Sequence, residues 1–215
     1  MNKRKTLLLL SLIVVALIAA ACGSTGDSDN DADSDNDTTE DTSIELAQTY
    51  TGSDASGGSI TVNYPDGWFQ EGDADSGVTL TNVEDTSAIA SPADIESGQM
   101  MTLVTLIPAD AASAMAGADE VTPALLLTIF SGLMADEETL PDGFGESQDV
   151  TIGGRAGVLA TGDSDSLSMV MVVLSDESGA YLIAMGVTAG GEGDDLRPTF
   201  DAILNSVQYT PATSE

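Results

Sequence analysis

Residues 147–187 read SQDVTIGGRAGVLATGDSDSLSMVMVVLSDESGAYLIAMGV, and the punctuation of this stretch decides the fold. The spans 147–152, 155–161, 167–174 and 181–187 are rich in Val, Leu, Ile and Met and read as four strands. Gly153-Gly154, Asp163-Ser164-Asp165 and 176–179 are the turns between them. Connections this short force neighbouring strands to run antiparallel, so the stretch predicts a meander of hairpins.

Elements on either side complete the pattern. Downstream, a helix is expected from about Asp194 to Val207, because Leu196, Phe200, Ile203, Leu204 and Val207 recur at helical spacing. Upstream, 60–64 (ITVNY) and 78–83 (VTLTNV) alternate as strands, and 100–107 (MMTLVTLI) is a near-continuous apolar strand closed by Pro108. A short first strand is expected over 44–50, followed by turn chemistry over 51–59. Asp110 to Gly117 is an Ala-rich short helix. Thr122 is placed to cap a longer helix with Pro123 in its first turn. In that helix Leu125 and Leu126, Ile129 and Phe130, and Leu133 and Met134 are expected to form the buried face. Asp136, Glu137 and Glu138 at its far end oppose the helix dipole, an effect of at most ~1 kcal/mol per charge that the apolar face outweighs. Strands, helices, strands and a last helix predict an α+β domain: one antiparallel sheet with helices packed on its faces.

The N-terminus sets the location. Lys3, Arg4 and Lys5 precede the apolar run LLLLSLIVVALIAAA, which ends on small residues before Cys22. A basic start, a short apolar run and a small-residue exit mark a secretory signal, and the run is shorter than the ~18 apolar residues of a spanning helix. A lone Cys directly after the small residues resembles a bacterial lipobox. That resemblance implies cleavage before Cys22 and a lipid on its sulfur, although the third position before Cys22 is Ala19 where lipoboxes usually carry Leu. The expected organisation is a signal over 1–21, lipidated Cys22 and an acidic linker over 22–43, one globular domain over 44–210, and a tail over 211–215. The linker, GSTGDSDNDADSDNDTTEDTS, has no large apolar side chain to offset the entropy of ordering it. Extended at ~3.3 Å per residue, it reaches about 70 Å.

Charge narrows the partners. Thirty-six acidic residues stand against five basic ones, a net −31. Loss of the signal leaves only Arg155 and Arg197, and the net charge becomes −34. Such a field repels nucleic acid and anionic headgroups and favours cations and cationic partners. Solubility or a saline medium explains it without any specific ligand. Cys22 is the only cysteine, so no intramolecular disulfide can form.

Three motifs carry a family resemblance. A strand over 60–64 runs into Tyr64-Pro65-x-Gly67-Trp68, Gly153-Gly154-Arg155-Ala156 joins two later strands, and the end reads Phe200-x-x-Ile203-Leu204-x-Ser206-Val207-x-Tyr209. Together, over roughly 44–210, they resemble the PsbP-like fold of an extrinsic photosystem II subunit and of many bacterial lipoproteins. The resemblance implies an α-β-α sandwich around an antiparallel sheet. It carries no activity over. Metal-related roles of the photosynthetic relatives lean partly on His, and this chain has none.

The residue inventory excludes more than it suggests. Beyond the signal there is no His and no Lys, and a lipidated Cys22 leaves no thiol. That removes Ser-His-Asp, Cys-His and Ser-Lys catalysis, Schiff-base chemistry, the P-loop and ordinary zinc sites. A carboxylate pair could serve a glycosidase, but Asp and Glu are too abundant to single out a pair, and one Trp offers little platform for sugars. Asp75-Ser76-Gly77 matches the aspartic-protease signature, yet Gly72-Asp73-Ala74 precedes it where an apolar strand belongs, so it reads as a turn. Asp29, Asp31, Asp33, Asp35, Asp37 and Glu40 fall at the ligand positions of an EF-hand loop. Ser34 occupies the position that needs Gly and no helices flank the run, so only weak, non-specific Ca²⁺ binding is expected. Trp68 reads as a core or rim aromatic, Arg155 and Arg197 as ion-paired cations, and Met100, Met101, Met169, Met171 and Met185 as core filler.

The sequence thus predicts a lipid-anchored domain on the extracytoplasmic face of the cell membrane. Its expected role is non-catalytic, binding or supporting an unidentified protein partner, with no cofactor and no nucleic acid. A carboxylate-only hydrolase and a small solute- or cation-binding lipoprotein are the alternatives.

Overall fold

The computed structural model describes residues 44–211, apart from 54–57, 73–76, 87–88, 90–91, 136–139 and 142–143. Cys22 and the acidic run Asp29 to Glu40 therefore lie outside the described residues, as do Asp75, Ser76 and the acids 136–138.

The chain is α+β, as expected, but its strands form two antiparallel sheets rather than one. The large sheet contains β3 (Phe69–Glu71), β4 (Val78–Thr81), β5 (Met100–Ile107), β6 (Ser147–Ile152), β7 (Arg155–Asp163), β8 (Leu167–Ser175) and β9 (Tyr181–Ala189), in the order β3-β4-β5-β9-β8-β7-β6. The small sheet has the order β1 (Gln48–Ser53), β2 (Ser59–Tyr64), β10 (Gln208–Thr210). Three helices complete the described chain: α1 (Ala109–Ala116), α2 (Pro123–Ala135) and α3 (Gly193–Ser206). A single 3-10 turn covers Pro92–Asp94.

The hairpins follow the glycine turns. Gly153 and Gly154 take φ of 58° and 78°, the left-handed pair that a two-residue turn needs to match strand twist. From there β6 and β7 pair from Ile152↔Arg155 outward. Strand β8 is buried from Leu167 to Leu174 because both of its faces are covered. Val170, Val172 and Leu174 point into one core, and Leu167, Met169, Met171 and Val173 into the other.

Those two cores define the layers. One lies between the large sheet and α1 and α2, where Ala112, Leu126, Leu127 and Met134 meet Met101, Met171 and Ile183. On the opposite face α3 and the small sheet share the covering, with Leu196, Phe200, Ile203 and Leu204 against Ile60, Val62, Leu80 and Leu182. Helices therefore cover both faces, with the small sheet sharing the α3 layer.

Four details depart from the sequence reading. The first strand is β1 at Gln48–Ser53, not 44–50; its inward pair is Tyr50 and Gly52, so polar residues 51–53 belong to the strand and the turn is correspondingly shorter. Strands β3 and β10, three residues each, are too short to leave a period. The third departure is the second sheet itself: β10 returns along β2, pairing Tyr209 with Ile60, and splits β1-β2 from the meander. Finally, the buried face of α2 is Leu126, Leu127 and Met134 with Phe130 against it, while Leu133 is 55% exposed. Leu127 and Met134, seven residues apart, lie within about 20° of each other on a 3.6-residue helix and share the buried face, which is rotated from the expected stripe so that Leu133, about 100° from Met134, falls at its edge.

Candidate functional site

With no His in the chain and no Lys after Lys5, carboxylates dominate the available chemistry, so their placement decides what the surface can do. Two of them meet where β9 hands over to α3. Asp163, at the end of β7, accepts a hydrogen bond from Gly191 N–H at 3.1 Å and a short one from the Ser168 hydroxyl. Glu192, just before α3, accepts from Gly98 N–H at 2.8 Å and from the Ser97 hydroxyl. Thr188 alongside donates to the Gln99 carbonyl at 2.8 Å. The two turns touch: a Cβ on Gly190 would lie 2.2 Å from the Ser164 carbonyl oxygen, so glycine is what lets them close.

Each bond favours the charged carboxylate. The Ser168 hydroxyl and Gly191 N–H hold Asp163 below the usual Asp value, and Ser97 and Gly98 do the same to Glu192. Burial pushes Asp176 up, but the Ser178 N–H and hydroxyl and the Arg155 guanidinium outweigh it and bring it below normal. A general acid needs the opposite shift, toward the operating pH.

Two clefts open beside these groups. One, of about 540 Å3, is lined by Gln148, Thr161, Asp163, Ser168, Asp194 and Arg197. Arg197 is already engaged there, its Nε reaching both Asp201 oxygens at 2.9 and 2.8 Å. The other, of about 520 Å3, lies between the first turn of α2 and strands β6 and β7, with Thr122, Ala124, Asp149, Thr151 and Ser175 on its walls. Asp149 is exposed, and its carboxylate has no hydrogen bond or ion pair among the described residues. Neither Asp149 nor Glu192 stands out in the sequence among 36 acids; the signal was the Asp163-Ser164-Asp165 and Gly190-Gly191 turns, which only the fold brings together.

The other expected residues fall as follows. Arg155 is ion-paired, its Nε 3.0 Å from Asp176, and Arg197 pairs with Asp201 one turn on. Trp68 lies at the rim, half-buried against the core shared with α3. Met101, Met169 and Met171 are buried, and Met100 and Met185 pack against the two cores. Gly77, the one described residue of Asp75-Ser76-Gly77, takes φ 102° where the chain enters β4. Among the described residues no three acidic or thiol side chains converge to hold a metal ion, and no helix is long and apolar enough to cross a membrane.

No family model matches the chain, and no curated protein matches it. Among solved structures it is similar to LpqN of Mycobacterium tuberculosis, described as involved in cell envelope biogenesis, with a TM-score of 0.45 and 16% identity over 76% of this chain and 91% of that one. It is also similar to a protein of Bacteroides thetaiotaomicron VPI-5482, with a TM-score of 0.41 and 7% identity over 79% of this chain and 50% of the other. In the second case the chain spans about half of its counterpart. Likeness at this level assigns no family.

Proposed function

We propose that the protein is a lipid-anchored, extracytoplasmic domain that binds or supports a protein partner at the cell surface without catalysing a reaction. The observation that carries this reading is the state of its carboxylates. Asp163, Asp176 and Glu192 each spend their oxygens on hydrogen bonds that fasten turns, the placement of structural carboxylates rather than of an acid and base facing a substrate. The anchor is lipidated Cys22, and the acidic linker after it stands the domain off from a surface that repels a mature chain of net charge −34. A PsbP-like relationship belongs to the same proposal. It is supported by helices on both faces of the sheet and by the Gly153-Gly154 turn standing where the motif has it.

The test is turnover by the purified full chain on ester, phosphoester, glycoside and peptide substrates between pH 4 and 8. No turnover above the background of an Asp163→Asn, Asp194→Asn variant is expected. Robust turnover that those changes abolish would make the hydrolase alternative correct.

A further inference from the structure

Of the three described helices, α2 alone lacks a charged side chain: PALLLTIFSGLMA carries none, on a chain with 36 acids. Its inner face is spent on the core, yet the outer face is also apolar or small. Ala124, Thr128, Gly132 and Leu133 are exposed, and Leu125 and Ile129 are half-buried. Acidity returns at both ends: Asp136, Glu137 and Glu138 follow the helix in the sequence, outside the described residues. Asp119 and Glu120 are exposed just before the helix, and Asp149 stands on the cleft beside its first turn. None of the carboxylates of Asp119, Glu120 and Asp149 has a partner among the described residues. The entry of the helix is fixed, since the Tyr181 hydroxyl donates to the Val121 carbonyl at 2.7 Å and Thr122 Oγ1 accepts from Leu125 N–H at 3.2 Å.

Resting on the binding reading above, the geometry points to this face as the docking surface for a cationic polypeptide: Lys or Arg side chains at Asp149 on the cleft and at Glu120 just before the helix, then apolar side chains along α2 to Leu133. At 1.5 Å per residue the distance from Pro123 to Leu133 is about 15 Å, three turns of a partner helix. Charge selects this occupant. A second copy of the chain brings no free cation, because Arg155 and Arg197, the only basic residues described, are both ion-paired. An anionic bilayer is repelled by the same three carboxylates.

The test uses the full-length chain in zwitterionic nanodiscs with p-benzoylphenylalanine in place of Leu133, or of exposed Pro198 on α3 as the control. The probe is a synthetic peptide with two lysines followed by an apolar helical run. The expected result is light-dependent crosslinking from position 133 and not 198. Its yield should fall about fivefold or more in a Glu120→Gln, Asp149→Asn variant and when glutamates replace the peptide lysines. Unchanged yield in either case, no adduct at 133, or an adduct with phospholipid or a second copy overturns the proposal. Crosslinking from position 198 alone overturns this surface and leaves the binding reading standing, which only substrate turnover would remove.

Discussion

Arg155 Nε lies 3.0 Å from Asp176 Oδ1, and through that pair the start of β7 is tied to the turn between β8 and β9. The same guanidinium donates from Nη1 to the Val207 carbonyl at 3.1 Å, so one side chain also holds the end of α3. Both charged partners are mostly buried, 16% and 14% exposed.

Removing one member of such a pair leaves the other charge without its bond. Arg155→Ala is expected to cost about 2 kcal/mol of unfolding free energy, and Arg155→Lys nearly as much, because an ammonium cannot reach two partners in the fork geometry of a guanidinium. Urea unfolding of the full chain measures both. A Lys variant as stable as the parent would show that charge alone matters there.

Two glycines in the same hairpin should respond differently. A Cβ at Gly157 would lie 2.0 Å from the Val173 carbonyl oxygen and 2.8 Å from Leu174 Cα, whereas at Gly154 nothing lies within 4 Å and only the φ of 78° resists. Gly157→Ala must push β7 off β8 and is expected to cost about 3 kcal/mol or to prevent folding. Gly154→Ala should cost about 1 kcal/mol. Thermal melts of the two variants give the order.

The rotated face of α2 makes a further contrast. Leu127 is 3% exposed and Leu133 is 55% exposed. Leu127→Ala should lose about 2–4 kcal/mol, while Leu133→Ala stays within about 0.5 kcal/mol of the parent. Reversed values would mean that the four-residue stripe in the sequence, not the described packing, is the buried one.

Asp176 sits below the ordinary Asp value of 3.8 in the folded chain. A depressed carboxylate contributes stability that is fully present above its unfolded pKa and lost as the pH falls through its folded one. The stability difference between the parent and an Asp176→Asn variant should therefore be largest at neutral pH and shrink below about pH 4. Self-repulsion acts with the other sign. At neutral pH, NaCl shortens the screening length from about 30 Å at 0.01 M to 3 Å at 1 M, so it should raise the urea midpoint of a chain with net charge −31. A midpoint that does not move with salt would show the acids to be too dispersed to matter.

The meander was legible because its signals are local. Gly153-Gly154 marks its own turn, β8 is apolar from Met169 to Leu174, and the α3 stripe from Leu196 to Val207 is buried as its spacing requires. What escaped was long-range or short. Nothing near Tyr209 says that it will pair with Ile60, and β3 has three exposed residues with no inward partner to betray it. The site was the least legible part. Asp163 meets Gly191 N–H, and Glu192 meets Gly98 N–H, across 28 and 94 positions of sequence. An acid among 36 acquires a role only from such a contact.

Everything proposed for this chain at the cell surface depends on a lipid on Cys22. Mass spectrometry of the mature N-terminal peptide from the membrane fraction tests it most directly. The expected product is a chain beginning at Cys22 and carrying a diacylglyceryl group on sulfur. An N-terminus elsewhere, or an unmodified Cys22 thiol on a protein recovered from the soluble fraction, would contradict it.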